Sequence, residues 1–511
     1  MKTPKKILTV LFCLSIMIAM LASCGPARSN VTFDRDTLII AMEAEPASLH
    51  VFNHQNFTAA WVNLMTFATL LYLNPETNMP EPHLVEEWEI ISDTVIELKL
   101  QEGIKFHNGE TMTSADVKAS IEYAQTYTET ATYTSGVADV IVIDDLTFRI
   151  VTREPNFLIF MYMTGIYFSV LPKSLIDAGH DFHQEPIGAG PYRQIEYSPG
   201  DKIVYEAFED YFDQTRIPRI RNVTYRIIPE GTARTIALET GDVNYLHTVN
   251  TADIPRLQNT DGITVETSPG ITYHFLALNH ERSNIHLNNP MVRRAIDMAI
   301  NKDDLVLAFA NGFGIPAYNQ VHFNIPGTSS RNINRYDPEA ARAVLAETGI
   351  NPSEIRFQIN VNNDAWRRMA EIIQSQLRRE LGIEVTRIEQ LDMPAHIAKV
   401  NSGDFDGAQT SYIGYHALVF LHPVVHSTQV GGFNRSRIRN PDFDRMIEAA
   451  SNTMDIYEAN SILEELTAQL NEMTLHIPLV IPDIIKAYHS DLVAPGIDSR
   501  GNLQFHTAYW R

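Results

Sequence analysis

The chain has 511 residues, room for two to four domains at roughly 100–200 residues each. Hydrophobic residues make up 44%, charged residues 20% and aromatics 9%, ordinary values for a soluble globular protein that argue against disorder and against a fibrous repeat. Lys+Arg total 40 against Asp+Glu 62, a net charge of −22 that repels nucleic acid, and the two cysteines are too few for a disulfide framework or a Cys-based zinc site.

Lys2, Lys5 and Lys6 precede an apolar run over residues 7–22. The run is short for a bilayer span and has the layout of a secretory signal. It ends in Leu21-Ala22-Ser23-Cys24, which resembles a bacterial lipobox. That resemblance implies cleavage before Cys24 and lipidation of its thiol; the bland alternative is an ordinary cleaved signal that happens to hold a Cys. Cys13 lies inside the signal, so the mature chain would carry one cysteine, acylated. Two or more acyl chains hold a protein stably on a bilayer, at about 0.8 kcal/mol per buried methylene. Residues 25–30 are small and polar and read as a flexible tether. The expected layout is a signal over 1–23, a tether over 24–35, and an extracytoplasmic domain leashed to the outer face of the cell membrane.

Strands and helices alternate along the rest, which predicts an α/β class. Ile96, Leu98 and Leu100 share one face of a strand, as do Leu146, Phe148 and Ile150. Thr113-Ser114-Ala115-Asp116 opens a helix with a capping residue and an acidic third position. Asn289-Pro290, Asp337-Pro338 and Asn440-Pro441 each set a capping side chain before a proline, a helix-start signal. The clearest unit spans residues 355–412. It reads as strand 355–361, helix 364–381 closed by Gly382, strand 383–388, helix 394–400 and strand 407–412. Such β-α-β-α-β units form parallel sheets, and ligands bind outside the carboxyl ends of their strands. Two such ends are Asn362-Asn363, near Trp366, and Ile413-Gly414-Tyr415-His416.

An ordered set of segments resembles the family 5 extracellular solute-binding proteins of ABC importers, which include dipeptide-, oligopeptide- and nickel-binding members. The set begins with Glu81-Pro-His-Leu-Val-Glu-Glu-Trp88, Glu97-Leu-Lys-Leu100, Gly103-Ile-Lys-Phe-His-Asn-Gly109 and Thr113-Ser-Ala-Asp-Val117. Gly188-Ala-Gly-Pro-Tyr192, Tyr211, Ala277-Leu-Asn279 and Val292-Arg-Arg-Ala-Ile296 with Ala299-Ile-Asn301 follow. Tyr336-Asp-Pro-Glu-Ala340, Gly382-Ile-Glu-Val385 and Gly403-Asp-Phe-Asp406 complete it. Gln101 stands where the family usually has Arg, a position read as structural. The resemblance implies that peptide-binding members carry an Asp after the third strand that pairs with the peptide's amine. Aligned on Tyr412, that position is Tyr415 here, which argues against simple peptide binding.

The resemblance implies a two-lobed periplasmic-binding-protein fold of class II, in its large variant, with the ligand cleft between the lobes. Lobe I would cover 36–272, with an extra subdomain at about 51–186, lobe II 273–481, and 482–511 would return to lobe I. The crossings are placed near Thr272-Tyr273 and Ile481-Pro482. Family peptides add a strand between the lobes through main-chain hydrogen bonds. Segment 53–58, with Asn53, Gln55 and Asn56, supplies the lobe I edge, near Trp61. Segment 414–417 supplies the lobe II counterpart.

Each candidate has a competing reading. Tyr412, Gly414, Tyr415 and His416 contact a ligand or are loop and strand residues. Trp366 is an aromatic wall or the first packed residue of its helix, and Asn362 and Asn363 bind ligand or cap that helix. His416, His422 and His426 lie close in sequence, and imidazole suits nickel, copper or zinc. Their spacing is not that of one helical face, and no HExxH occurs. Gly312-Phe-Gly-Ile-Pro-Ala317 follows a helix and contains Pro316, so it is no dinucleotide loop. Asp404 and Asp406 flank Phe405 at the approach to a strand, where the resemblance implies structural roles and not an acid/base pair.

The leading reading is a monomeric substrate-binding lipoprotein that captures an oligopeptide or peptide-like solute by hinge closure and delivers it to membrane permease subunits, with no cofactor and no catalysis. Within the family the alternative is a nickel or metal-chelate binder. Outside it stand a ligand-sensing lipoprotein and a lipid-anchored hydrolase, and no Gly-x-Ser-x-Gly elbow supports the last. The anchor is directly testable: Cys24→Ala is expected to abolish incorporation of labelled fatty acid and release the protein from the membrane fraction. A wild type that takes up no label would sink the lipoprotein reading.

Overall fold

The computed structural model describes residues 34–53, 57–498 and 500–511, so the signal, Cys24 and the tether to residue 33 lie outside the described residues. One strand organises the rest. Ile477–His489 is 13 residues long and alternates little in burial, as expected for a strand covered on both faces. Its first half pairs with Thr272–Leu278 and Gly314–Pro316. Its second half pairs with Ile263–Pro269 and Tyr245–Leu246. The large sheet therefore consists of two halves that share a single backbone.

On one side the order continues from Thr272–Leu278 to Gly407–Ile413, Arg356–Val361 and Glu384–Gln390. The last three strands are parallel, as the β-α-β-α-β pattern predicts. Their connecting helices are Asp364–Leu381, closed by Gly382 in the left-handed region at φ 69°, and Met393–Ser402. Leu276 and Leu278 pack under Asp364–Leu381 and the helices Pro290–Met298 and Pro338–Glu347. The alternate side chains Tyr273, Phe275 and Ala277 face Ala417–Val425, Pro441–Ser451 and Ile456–Met473. All three Asx-Pro signals open helices: Asn289, Asp337 and Asn440 accept from backbone N–H groups of the first turn.

On the other side the order runs through Tyr245–Leu246, Thr37–Met42, Asn222–Ile227, Lys202–Ala207 and Tyr192–Ser198. A separate four-stranded sheet, in the order Val85–Ser92, Val95–Leu100, Thr147–Thr152 and Val137–Val142, packs against Ser114–Ala124. Ile96, Leu98, Leu100, Phe148 and Ile150 are fully buried there. The Thr113 N–H donates to the Asp116 carboxylate at 2.7 Å, the capping box that the sequence predicts. The Gln101 amide donates to the His83 carbonyl at 2.5 Å, a structural role. Asp406 accepts from the Gln358 N–H at 3.1 Å and pairs with Arg282 at 3.2 Å, so it too is framework.

Several family-like segments have clear physical roles. Arg293 is 1% exposed and donates to the carbonyls of Leu287, Met473 and Thr474, so a buried cation caps the end of helix Ile456–Met473. Burial lowers its pKa to about 10, still charged at neutral pH. Asp297 and Lys302 form a wholly buried pair at 2.7 Å, with Asn334 on the second carboxylate oxygen. No helix among the described residues is long and apolar enough to cross a membrane.

Gly188-Ala-Gly-Pro-Tyr192 lies against the end of helix Phe57–Thr66, where the Gly190 N–H donates to the Thr66 carbonyl at 2.8 Å. A Cβ on Gly190 would lie 2.5 Å from the Thr66 carbonyl carbon and 2.6 Å from the Met65 oxygen. Backbone atoms cannot rotate away as a side chain can. Gly190→Ala is therefore expected to lower unfolding free energy by about 1–3 kcal/mol in a urea titration. A variant as stable as the parent would show that the helix end gives way freely.

Candidate functional site

Beside the large sheet lies a cavity of about 1300 Å³ with two walls. The first is built from segment 129–167 and from Arg500 and Asn502 near the chain's end. The second is built from the end of strand Gly407–Ile413, helix Ala417–Val425 and residues Ser451 and Asn452. Ile271, between the strands Ile263–Pro269 and Thr272–Leu278, lines it as well.

Five tyrosines face this space: Tyr133, Tyr162 and Tyr167 from the first wall, Tyr412 and Tyr415 from the second. Tyr133 stacks on Tyr167 with ring centroids 3.6 Å apart and meets Tyr162 edge-on at 5.4 Å. Tyr412 is held edge-on by Phe433 at 5.3 Å and Phe420 at 5.6 Å. The Arg500 guanidinium lies over the Tyr415 ring at 5.9 Å and donates to the Thr164 hydroxyl and carbonyl, both at 3.1 Å. Burial, with the neighbouring tyrosines adding to it, pushes the Tyr415 phenol well above its ordinary pKa of 10. The hydroxyl stays neutral and can both donate and accept.

Charge is distributed unevenly. Among the described lining residues the charged side chains are Glu129, Arg153, Glu154 and Arg500, and all four belong to the first wall. Arg153 is exposed and donates through Nε to the Ser135 carbonyl at 2.8 Å. The second wall offers Tyr412, Ile413, Tyr415, Leu418, Val419, His422 and Pro423, with Ser451 and Asn452.

The residues proposed from sequence fare differently. Tyr412 and Tyr415 line the cavity. Gly414 is buried behind them, where an added Cβ would sit 3.3 Å from Phe420. His416 is fully buried and caps helix Ala417–Val425: its Nδ1 accepts from the Leu418 N–H at 3.2 Å and its Nε2 bonds Asn460 Oδ1 at 2.8 Å. Both ring nitrogens are engaged away from the lining, which corrects its pairing with Tyr415 as a ligand group. The same bonds remove it from the histidine trio. His422 lines the cavity and stacks on His426 at 5.1 Å, while His426 bonds the Thr428 hydroxyl at 2.8 Å. Among the described residues no three His, Cys, Asp or Glu side chains are placed to hold one metal ion.

Trp366 is 7% exposed and packed in the core under its own helix, edge-on to His274 at 5.8 Å. Asn363 caps that helix by accepting from the Trp366 N–H at 2.9 Å, and Asn362 donates to Met393 Sδ at 3.1 Å. This strand end is thus closed by packing and capping. Trp61 is half-buried against His247 at 4.1 Å, and its neighbours Ala60 and Leu64, rather than Trp61, line the cavity. Asn53 is exposed, with its N–H on the His50 carbonyl at 3.0 Å, while Gln55 and Asn56 lie outside the described residues.

Sequence reasoning missed Tyr133, Tyr162, Tyr167, Arg153 and Arg500. The tyrosine density of segment 123–167 was a usable signal. Nothing local ties Arg500 to Tyr415.

The sequence matches the bacterial extracellular solute-binding proteins, family 5 (middle), over residues 79–432. The chain belongs to this family. It is 24% identical over 497 residues to the glutathione-binding protein GsiB of Shigella dysenteriae serotype 1, covering 94% of each chain. Its fold superposes on HbpA2 from Haemophilus parasuis with a TM-score of 0.84 at 21% identity, over 93% of this chain and 100% of that one. The unliganded open form of the periplasmic murein tripeptide binding protein MppA gives 0.84 at 19% identity, over 94% and 98%. The fold is the two-lobed α/β architecture of these binding proteins.

Burial of imidazoles has a measurable consequence. Burial lowers the pKa of His416 to about 4, and does the same at His83 and His274. The unfolded chain, with histidines near 6.5, therefore takes up protons first as pH falls. The stability these groups provide is complete above about pH 6.5 and is lost as pH drops towards 4. Urea midpoints should fall steadily over that window. His416→Gln should reduce the proton uptake derived from the slope by about one near its centre. An unchanged slope would place His416 in solvent.

Proposed function

We propose that this protein is the solute-binding component of an ABC importer and captures a peptide-like solute in the tyrosine-walled cavity. The observation that carries the reading is the cavity itself: about 1300 Å³, walled by two chain segments far apart in sequence and lined mainly by aromatic and apolar side chains. This is the usual character of a small-molecule site. We take the lobes to be 36–272 with 482–511, and 273–481, hinged where Ile481-Pro482 passes Gly270-Ile271. Membership of the family supports delivery to permease subunits in the membrane, with Cys24 as the tether.

The uneven charge of the walls narrows the solute. The second wall presents Tyr415 where peptide binders of this family carry a carboxylate, so it offers no anion to a peptide amine. A bound solute keeps its charged groups against Glu129, Arg153, Glu154 and Arg500 and lays an uncharged face on Tyr412 and Tyr415. Main-chain amides stacked on tyrosine satisfy that face well, and so do blocked or side-chain-linked peptides.

The test is calorimetry with glutathione, plain dipeptides and N-acetyl dipeptides, each repeated in solution scattering. N-acetylation is expected to leave affinity unchanged or improve it, and micromolar binding corresponds to about −8 kcal/mol. A true ligand should raise the melting temperature by mass action and reduce the radius of gyration. Tight binding of plain dipeptides that acetylation abolishes would overturn the role given to Tyr415. A tight ligand that leaves the scattering profile unchanged would overturn hinge closure.

A further inference from the structure

At the edge of the cavity, side chains from each lobe are buried in the core of the other. Phe157 precedes helix Leu158–Met163 on the first wall and is fully buried. Its surroundings are those of the second lobe: the His416 ring at 5.0 Å and the apolar cluster of Leu418, Leu421 and Leu463. Met454, in the turn between helices Pro441–Ser451 and Ile456–Met473, does the reverse. It is 6% exposed and belongs to the apolar core of the four-stranded sheet, the cluster that also holds Leu98 and Phe160. The backbone locks the exchange, since the Phe157 N–H donates to the Thr453 carbonyl at 3.0 Å and the Asn156 N–H to Met454 Sδ at 3.2 Å.

Asn156 and Leu158 on one side of this seam, and Ser451 and Asn452 on the other, line the cavity, as does Ile271 at the crossing. Swinging the lobes apart about the crossing must withdraw Phe157 and Met454 from their sockets and expose both to water, which costs apolar burial on each side. These contacts are made by protein side chains and backbone alone.

We propose that the exchange of Phe157 and Met454 is a latch that biases the two lobes towards closure in the absence of solute without completing it, and that admission of a solute requires it to open. The latch sets the starting population of the closed state, so a solute needs less differential affinity to complete closure. The idea rests on the lobe boundaries proposed above, but its test uses no ligand and so is decided apart from solute binding.

Hydrogen exchange of the ligand-free protein reads the latch directly through the Phe157 amide, whose acceptor lies across the seam. That amide should exchange measurably more slowly than the unprotected rate in the wild type and lose this protection in Met454→Ser and Phe157→Ser. Scattering of the ligand-free variants should show a larger radius of gyration than the wild type. Should Phe157→Ser fail to fold, Met454→Ser removes the second plug and carries the same expectation. The full chain has only Cys13 and Cys24, both ahead of residue 36, so Asn156→Cys with Thr453→Cys adds the sole pair at the seam. Oxidation of that pair should preserve the small radius when combined with Met454→Ser. A Phe157 amide that exchanges at the unprotected rate, or folded variants with unchanged radius and exchange, would overturn the latch.

Discussion

The architecture depends on one shared backbone. Strand Ile477–His489 supplies hydrogen-bonding edges to both halves of the large sheet, so the halves cannot separate without breaking it. Its pairing changes hands near Pro482, which is where the proposed hinge lies. At that point Pro482 has no N–H to give, and Gly270 and Gly314 press against the strand from either side. A Cβ on Gly270 would lie 2.4 Å from the Pro482 oxygen, and one on Gly314 would lie 2.8 Å from the Ile481 oxygen. Glycine is required there for closeness of backbones. A crossing that is tight, short of side chains and missing a donor suits the hinge proposed above.

The cavity follows from the same constraint. Elements anchored to the two sheet halves can face each other across the joint, and their exposed surfaces become walls. What the chain places on those walls is chemically asymmetric. The first wall has guanidiniums and carboxylates, and the second has neutral rings, hydroxyls and aliphatic groups. Burial keeps the Tyr415 phenol protonated, so the second wall stays uncharged over the physiological range. The buried histidines in the framework, His416 and His476 among them, are likewise held neutral by desolvation.

The framework was legible where local physics decides. The helix Asp364–Leu381 has its predicted bounds because Asn363 caps one end, Gly382 ends the other, and the apolar stripe between needs no distant partner. The parallel order of its flanking strands follows from the same pattern. The lining of the candidate site was legible only at Tyr412 and Tyr415, which stand at a strand end. His416 carries the same sequence signal, yet its imidazole is consumed by the Leu418 N–H and Asn460, and a partner 44 residues away cannot be read from neighbours. Trp366 sits at the other strand end, but a long amphipathic helix draws its first large side chain inward. The first wall was hidden for the complementary reason. Helix Leu158–Met163 is apolar all round and reads as pure core, although Leu158, Met161 and Tyr162 face the cavity.

The position of Arg500 also bears on how the molecule is made. The guanidinium that covers Tyr415 and ties down Thr164 comes from the final turn of the chain, where Trp510 also donates to the Thr37 carbonyl at 3.1 Å. A polypeptide synthesised from its amino end has Tyr133, Tyr162 and Tyr167 long before Arg500 exists. Until then the Thr164 carbonyl at the end of helix Leu158–Met163 lacks the Arg500 donor, and the Thr37 carbonyl at the start of its strand lacks the Trp510 indole N–H. Helix Leu158–Met163 and strand Thr37–Met42 gain these donors only once residues 500–510 have been made, so a nascent copy cannot complete the lining of the candidate site before then.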